Sequence, residues 1–414
     1  MIGIDVIEIS RFRDMNNLEM FIRRVFTQNE ADYFVTKKNG ARGFYAAIAG
    51  HFAAKEAFSK AIGTGVRGFS LADIEVCHDE LGKPYLKFGG VTVNAAVTIS
   101  HSDTIAIAAV YLPDELKCTG LPVYAGLDKY KELMPERMSH FNKGDCGKVF
   151  IVAGSTGMTG AACLSAAGAL RTGSGLVTVG LPKSSQPIAA VKLTESMTVP
   201  LPENEDGTLS LNALGEIKSR MSKSNVCVFG PGLGRNADIA KLIDSLLCGS
   251  CDMLIDADGL NAIADDMDIL RKHANRRSCR LVITPHPGEM SRLCGESIEA
   301  VQNNRVGVAK KFAKEFGVVV VLKGHETVIA APDGRTHINN SGNAGMATGG
   351  TGDVLSGVIG SLMGQGLEPF EAAVLGVFIH GAAGDFARRD KGEFGMIAGD
   401  VAENIPEAIK LILQ

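Results

Sequence analysis

The chain has 414 residues, of which 45% are hydrophobic and 21% are charged, and its formal net charge is -4. This length suits two or three domains, and the composition is typical of globular proteins. The small negative charge gives no reason to expect a nucleic-acid partner, and no apolar run approaches the ~20 residues of a membrane span. Asp5 and Glu8 stand where a secretory signal would be basic and then apolar, so we expect a cytoplasmic protein.

The first 115 residues predict a small α+β domain. Residues 2–9 (IGIDVIEI) alternate apolar positions, which predicts a strand carrying acids on one face. Residues 52–65 (FAAKEAFSKAIGTG) predict a helix that glycine ends. Residues 81–85 (LGKPY) predict a turn, and residues 97–102 (VTISHS) predict the end of a strand.

In order and spacing these four blocks resemble the holo-acyl-carrier-protein synthases, small 4'-phosphopantetheinyl transferases. Such enzymes move phosphopantetheine from coenzyme A (CoA) to a serine of an acyl carrier protein. The resemblance implies Mg²⁺ held by Asp5 and Glu56, a CoA phosphate at Lys60 and an active-site role for His101. It also implies a homo-oligomer, a trimer or a multiple of one. Without the resemblance, these charged residues would indicate only a solvated face, and His101 a structural histidine.

Residues 116–138 predict a linker, because proline, glycine and charged residues interrupt this stretch, with room for one short helix at 127–134. From residue 139 onward, helix-length segments alternate with strand-like runs. These runs are 149–153, 176–180, 226–229, 253–256, 281–284 and 318–322. The alternation predicts an α/β domain with a mainly parallel sheet, helices on both faces, and ligands beyond the carboxyl ends of the strands.

Residues 343–353 (NAGMATGGTGD) are the most informative segment of the chain. Glycines let backbone N–H groups approach an anion, and the helix-like run that follows adds the partial positive charge of its N-terminus. We therefore predict an anion hole at Gly350, Thr351 and Gly352, with Asp353 at its mouth as a candidate base. As a bare pattern it indicates phosphate without saying which phosphate.

This segment resembles the signature of the ADP/ATP-dependent NAD(P)H-hydrate dehydratases, which belong to the ribokinase-like superfamily. Other blocks agree in order: 142–149 (NKGDCGKV), 154–175 (GSTGMTGAACLSAAGALRTGSG), 230–234 (GPGLG), 284–289 (TPHPGE) and 323–327 (KGHET). The last three blocks each follow a predicted strand, so they should converge on one edge of the sheet. The resemblance covers residues 139–414 and implies an α/β/α sandwich.

The resemblance implies a substrate that is the hydrated, damaged form of NADH or NADPH. ADP would phosphorylate its ring hydroxyl, Asp353 would take the hydroxyl proton, and elimination would release phosphate beside AMP; Mg²⁺ is expected with the nucleotide. The implied adenine-nucleotide segment comprises Lys323, Gly324, His325, Glu326 and Thr327. The implied hydrate-binding positions are Ala162, Gly232 and His286.

Several alternatives stay open on sequence grounds. One half of the chain would be inactive and act as an oligomerisation module, or the C-terminal half would be a small-alcohol kinase. A mere ligand-binding module is disfavoured by Asp353. Cys248 and Cys251 form a C-x-x-C pair, for which a chance spacing is favoured over a redox role. We predict a structural role for His380 within a helix.

Overall fold

The computed structural model describes residues 1–37, 41–62, 70–79, 81–88, 91–93, 95–112, 124, 127–274 and 277–413, without the side chains of residues 41, 42 and 91. The chain divides into two compact units, Met1–Leu127 and Asp128–Gln414. The predicted glycine stop at 63–65 and the first part of the predicted linker, residues 116–123 and 125–126, lie outside the described residues.

The N-terminal unit has the predicted α+β architecture, built around one long helix. Its elements are β1 (Ile2–Glu8), α1 (Ser10–Arg13), α2 (Leu18–Val25), α3 (Gln28–Thr36), α4 (Ala41–Ile62), β2 (Ile74–His78), β3 (Pro84–Phe88), β4 (Val91–Thr92), β5 (Ala96–His101) and β6 (Ile105–Tyr111). Among the described residues they form two antiparallel sheets, β1-β6-β5 and β2-β3-β4. Strand β1 approaches α4 so closely that a Cβ on Gly3 would lie 2.0 Å from the Ala57 carbonyl oxygen.

A buried charged network ties the helices of this unit together. The Lys55 side chain is fully buried in α4, and its ammonium donates to Glu30 Oε2 at 2.7 Å. It also donates to the carbonyls of Val25, Leu71 and Ile74. Every proton of the buried ammonium therefore has an acceptor, which is the condition under which a buried charge is tolerated.

The C-terminal unit is the predicted α/β unit. Its elements are α5 (Asp128–Leu133), β7 (Lys148–Val152), α6 (Thr159–Arg171), β8 (Leu176–Pro182), α7 (Gln186–Lys192), β9 (Met197–Leu201), α8 (Leu214–Met221), β10 (Val226–Phe229), α9 (Ala237–Leu246), β11 (Asp252–Ile255), α10 (Asp258–Asp265), α11 (Asp268–His273), β12 (Leu281–Ile283), α12 (Pro287–Cys294), α13 (Ile298–Asn303), α14 (Arg305–Phe316), β13 (Val319–Leu322), β14 (Val328–Ala330), β15 (Thr336–Ile338), α15 (Thr351–Gly364), α16 (Pro369–Lys391) and α17 (Ala398–Leu413).

The described strands of this unit form one sheet in the order β15-β14-β13-β12-β11-β10-β7-β8-β9. Pairing is parallel from β13 to β9 and antiparallel at β14 and β15. The central strands are apolar on both faces because helices cover both. Phe150 and Phe229 pack with helices α8 to α14 on one face. On the other face α15 lies so close that a Cβ on Gly360 would be 2.4 Å from Val228.

Helix α16 is long and apolar enough, by length and composition, to cross a membrane, although the sequence shows no uninterrupted apolar run of that length. Within the structure, 89% of its most apolar window is buried. The helix packs against α15 and α17. Its apolar surface is therefore used for packing inside the C-terminal unit.

The second part of the predicted linker is packed structure. Tyr130 of α5 is buried, and its ring stacks on Phe378 of α16 with centroids 3.9 Å apart. Helix α5 also contacts α17. Residues 128–133 therefore belong physically to the C-terminal unit, which the charge content of this stretch concealed.

Candidate active sites

The loops that follow β7, β10 and β11 meet tightly at the carboxyl edge of the C-terminal sheet. The Gly154 N–H donates to the Pro231 carbonyl at 2.8 Å. A Cβ on Gly230, whose φ is 128°, would lie 1.9 Å from the Asp256 carbonyl oxygen. Only glycine therefore permits this approach. Of the predicted hydrate-binding residues, Gly232 is partly exposed here, whereas Ala162 is buried and lies 3.2 Å from where a Cβ on Gly154 would be.

Helix α15 begins at Thr351, so the predicted anion hole is its first turn. Gly350 turns the chain into the helix with φ of 96°, and a Cβ there would lie 2.4 Å from Leu164. The N–H groups of Thr351, Gly352 and Asp353 have no partner within the helix, because the carbonyls four residues earlier precede it. These groups are available to an anion. The Thr351 hydroxyl is instead used in the loop, where it donates to the Met346 and Thr348 carbonyls.

Asp353 stands in the first turn of α15 and is electrostatically suited to act as a base. Burial raises the pKa of its carboxyl to about 7, Asp256 and Asp258 add to this, and Lys323 opposes them. A base with a pKa near the working pH transfers protons most effectively.

Lys323 lies beside Asp353 in a network that includes residues the sequence analysis did not select. Its Nζ is 2.7 Å from Asp256 Oδ1 and 4.0 Å from Glu289 Oε2. Burial lowers the pKa of Lys323, but Asp256 and Glu289 outweigh it and the pKa is raised. The pKa of Glu289 rises to about 7, mainly through burial, with Lys323 opposing. Asp256 is the last residue of the predicted run 253–256, and that position at a strand end was the available signal.

The predicted adenine-nucleotide segment forms a loop after β13. Gly324, His325 and Glu326 are exposed, and the Thr327 hydroxyl donates to the Gly324 carbonyl at 3.0 Å. Arg305, which sequence reasoning missed, underlies this loop.

Arg305 fixes the loop through backbone oxygens. Its Nη2 donates to the carbonyls of Leu322 at 2.9 Å, Lys323 at 3.3 Å and Glu326 at 3.5 Å. Gly324 has φ of 138°, and a Cβ there would lie 2.9 Å from the guanidinium. The loop is thus held open to solvent beside Lys323.

His286 caps α12 and at the same time exposes its ring. Its Nδ1 accepts from the N–H groups of Gly288 at 3.0 Å and Glu289 at 3.3 Å, and Glu289 Oε2 accepts from the His286 N–H. Because Nδ1 is an acceptor, the neutral ring carries its proton on Nε2. Burial and then Lys323 lower its pKa, which favours this neutral form. Its Nε2 lies 3.5 Å from Glu289 Oε1, and the side chain is 51% exposed, so the ring can also meet a ligand.

Two other sequence predictions concern residues away from the reacting groups. His380 of α16 donates from Nε2 to the Thr351 carbonyl at 2.9 Å, and burial lowers its pKa to about 4. It therefore supports the first residue of α15, as a structural histidine. Within the described chain no group of three or more His, Cys, Asp or Glu side chains is arranged to hold a metal ion, so protein ligands alone form no complete metal site. Burial raises the pKa of Cys251 to about 12, which makes it a poor nucleophile and disfavours redox chemistry at the C-x-x-C pair.

In the N-terminal unit, Asp5 and Lys60 come together. Lys60 Nζ lies 2.7 Å from Asp5 Oδ1, and Asp5 Oδ2 is buried without a hydrogen-bond partner among the described residues. Glu56 lies one turn before Lys60 on α4 and is partly exposed. Asp5 and Glu8 do not share a face as predicted: Glu8 points outward, because residues three apart in a strand lie on opposite faces.

His101 is separated from Asp5 within one chain. It lies at the end of β5, is exposed, and pairs with Ala106 of β6, whereas Asp5 pairs with Ala108 on the other side of β6. Two strand spacings amount to about 10 Å. The two side chains therefore do not form one catalytic pair in a single copy.

Comparisons with known proteins agree with the two-part architecture. The family model of the NAD(P)H-hydrate dehydratases matches residues 149–407, and that of the 4'-phosphopantetheinyl transferase superfamily matches residues 1–111. A bifunctional NAD(P)H-hydrate repair enzyme of Moorella thermoacetica is 45% identical over 278 residues, which are 67% of this chain and 52% of the relative. The chain thus spans about half the length of such bifunctional relatives.

Two further relatives match over nearly their whole length. An ADP-dependent (S)-NAD(P)H-hydrate dehydratase of Neisseria meningitidis is 36% identical over 277 residues, covering 66% of this chain and 88% of the relative. A crystal structure of the ADP/ATP-dependent enzyme from Bacillus subtilis, co-crystallised with ATP/Mg²⁺, superimposes with a TM-score of 0.59 at 28% identity, covering 69% of this chain and 97% of that one. The chain therefore belongs to the NAD(P)H-hydrate dehydratase family and carries, at its N-terminus, a unit of the 4'-phosphopantetheinyl transferase superfamily.

Proposed function

We propose that the C-terminal unit repairs the (S)-hydrate of NADH or NADPH by ADP-dependent dehydration. The main supporting observation is that Asp353, with a pKa of about 7, lies in the first turn of α15 next to the Lys323 ammonium. A base and an anion site are thus adjacent. The named activities of the family relatives support the same substrate class.

The proposed reaction balances as a phosphoryl transfer followed by an elimination. Asp353 accepts the proton of the ring hydroxyl while that oxygen bonds to the β-phosphorus of ADP, and the bond to the α-phosphate oxygen breaks to release AMP. The N–H groups of Gly352 and its neighbours hold the transferring group, where charge stabilisation matters most. The C–O bond then breaks, phosphate leaves with the former hydroxyl oxygen, and the adjacent carbon loses a proton. Mg²⁺, bound with the nucleotide, would neutralise phosphate charge.

One assay tests this function. The purified chain is incubated with hydrated NADH or NADPH and either ADP or ATP, and the return of reduced-nicotinamide absorbance is followed. We expect recovery that depends on a nucleotide and yields AMP and phosphate with ADP. Phosphorylation of a small alcohol without recovery of absorbance would instead identify a small-alcohol kinase.

For the N-terminal unit, we propose transfer of 4'-phosphopantetheine from CoA to a serine of an acyl carrier protein. The supporting observation is the buried Oδ2 of Asp5, which has no hydrogen-bond partner in the described part of the chain, while the other oxygen binds the Lys60 ammonium. A carboxylate that already holds one cation and has a free oxygen fits a divalent cation, with Glu56 of α4 as a second carboxylate. Bound there, Mg²⁺ would neutralise charge on the CoA pyrophosphate.

In this reaction the serine hydroxyl gives up its proton to water, its oxygen bonds to the phosphorus that carries pantetheine, and the pyrophosphate bond breaks to release 3',5'-ADP. Lys60 would leave Asp5 for a CoA phosphate. Mass spectrometry of the carrier protein should show the added group with the wild type and none with Asp5→Ala or Glu56→Ala. Glu8→Ala on the opposite face of β1 is the matched control. Full activity of both site variants would refute the metal assignment.

We propose further that the N-terminal unit assembles into a homo-oligomer through the outer face of β1-β6-β5. This face exposes Ile2 at 69%, Ile4 at 52% and Tyr111 at 52%, and Ile2 is paired directly with Tyr111. Contiguous exposed apolar surface of this kind marks an interaction site.

A further inference from the structure

The carboxylate of Asp256 connects two parts of the candidate dehydratase site. Asp256 follows β11 and is 1% exposed, yet both its oxygens have partners. Oδ1 accepts from Lys323 Nζ at 2.7 Å, and Oδ2 accepts from the Ser356 hydroxyl at 2.5 Å. Ser356 lies in α15, where its hydroxyl is also 3.0 Å from the Gly352 carbonyl. The loop after β13 is thereby tied to the first turns of α15.

We propose that Asp256 and Ser356 are positioning residues that hold the Lys323 ammonium beside the N-terminus of α15, where it neutralises the phosphoryl group during transfer. A Cβ built on Gly352 would lie 3.3 Å from Lys323 Nζ, so the ammonium already stands against the helix turn that receives the anion. A lysine side chain is long and flexible, and a fixed carboxylate removes that freedom. The proposal rests on the dehydratase function proposed above.

The same carboxylate affects the base. The charged groups that face Asp353 are Asp256 after β11, Asp258 of α10 and Lys323 after β13. Glu289 Oε2 lies 4.0 Å from Lys323 Nζ, and His380, whose pKa is lowered to about 4 by burial, contacts the Thr351 carbonyl as a neutral ring. Asp256 raises the pKa of Asp353, whereas Lys323 lowers it. Loss of the Asp256 charge should therefore move the acidic limb of the pH profile to lower pH, an effect that a purely structural residue would not have.

The test compares four proteins: wild type, Asp256→Asn, Ser356→Ala and Ser361→Ala. Ser361 is the matched control, because it is a buried serine of the same helix that bonds only to Ser174 and Gln365 among the contacts described for its hydroxyl. Rates of NADH recovery with ADP are measured from pH 5 to 9, beside circular dichroism of each protein. A misplaced reacting group lowers rates by about 10²-fold. For Asp256→Asn we expect kcat to fall by about 10²-fold and the acidic limb of the pH–rate profile to move to lower pH by about one unit.

Ser356→Ala should lower kcat about tenfold, because the carboxylate loses one of its two fixed partners. If Asp256→Asn does not fold, the kcat of Ser356→Ala alone tests the proposal. Ser361→Ala should match the wild type. An active wild type with unchanged kcat and pH profile in both site variants overturns the proposal. A wild type that never recovers NADH overturns the dehydratase function itself, and the role of Asp256 with it.

Discussion

Replacing Asp353 with asparagine should stop the dehydratase and at the same time stabilise the protein above neutral pH. Asparagine keeps the shape of the side chain but cannot accept the hydroxyl proton. The N–H groups of the α15 first turn remain, so ADP affinity should change by less than about tenfold, or roughly 1.4 kcal/mol. In the wild type, activity should halve near pH 7 and fall about tenfold for each pH unit below it, because the base must be ionised.

The stability effect follows from the same pKa. A carboxyl whose pKa rises from 3.8 to about 7 on folding binds its proton more tightly in the folded state. The contribution of this carboxyl to the free energy of unfolding is therefore fully present below pH 3.8 and is lost as the pH rises toward 7. The total loss is at most roughly 4 kcal/mol. Asp353→Asn removes this loss, so its advantage over the wild type should grow from pH 5 to pH 8.

Three measurements decide the question: NADH recovery, calorimetry of ADP binding, and urea unfolding at pH 5 and pH 8. Asp268→Asn is the matched control, since Asp268 also lies in the first turn of a helix but is 83% exposed in its side chain. Turnover by Asp353→Asn near the wild-type rate would show that Asp353 is not the base. An equal stability difference at both pH values would show that the carboxyl does not titrate near pH 7.

The remaining predictions concern stability and assembly. Lys55→Met should destabilise the N-terminal unit by about 3–5 kcal/mol in urea unfolding, because the buried Glu30 carboxylate loses the ammonium that balances its charge, whereas exposed Lys83→Met should not. Ile4→Asp should reduce the mass measured by light scattering, whereas Val35→Asp, equally exposed on α3, should leave it unchanged. The free energy of unfolding in urea should be about 3–5 kcal/mol higher for a fragment 128–414 than for 136–414, because only the first keeps the Tyr130 ring on Phe378. If a variant or fragment and its control give the same unfolding free energy or the same mass, the contact assigned to that pair does not contribute as predicted.

The sequence predicted the architecture well because the strongest patterns are local. The structure places β7, β8, β10, β11, β12 and β13 within about two residues of the six predicted runs, and these are Val- and Ile-rich strands buried on both faces. The edge strand β9 and the short antiparallel strands β14 and β15 were not predicted. They are three to five residues long, and their pairing depends on neighbours distant in the chain.

Site residues divide along the same line. Asp353 could be selected as a candidate base because it ends a glycine-rich motif, and its position in a helix turn follows from local sequence. Asp256 offered only its place at the end of a predicted run and Ser356 offered no signal, because their importance arises from contacts 67 and 100 residues away in sequence. Arg305 was missed for the same reason: it acts on carbonyls 17 to 21 residues later, which no spacing rule indicates.

The charge balance of the C-terminal site explains how one cluster can both bind an anion and hold a base. Asp256, Glu289 and Asp353 surround a single ammonium, and three ionised carboxylates would repel a phosphate. Glu289 and Asp353 each have a pKa of about 7, so near neutrality each is partly protonated and the repulsion is reduced. Asp256 keeps its partners at both oxygens and holds Lys323 in place. Burial that weakens the acids therefore makes the anion site usable and gives Asp353 its basicity, and neither property would survive full hydration of the cluster.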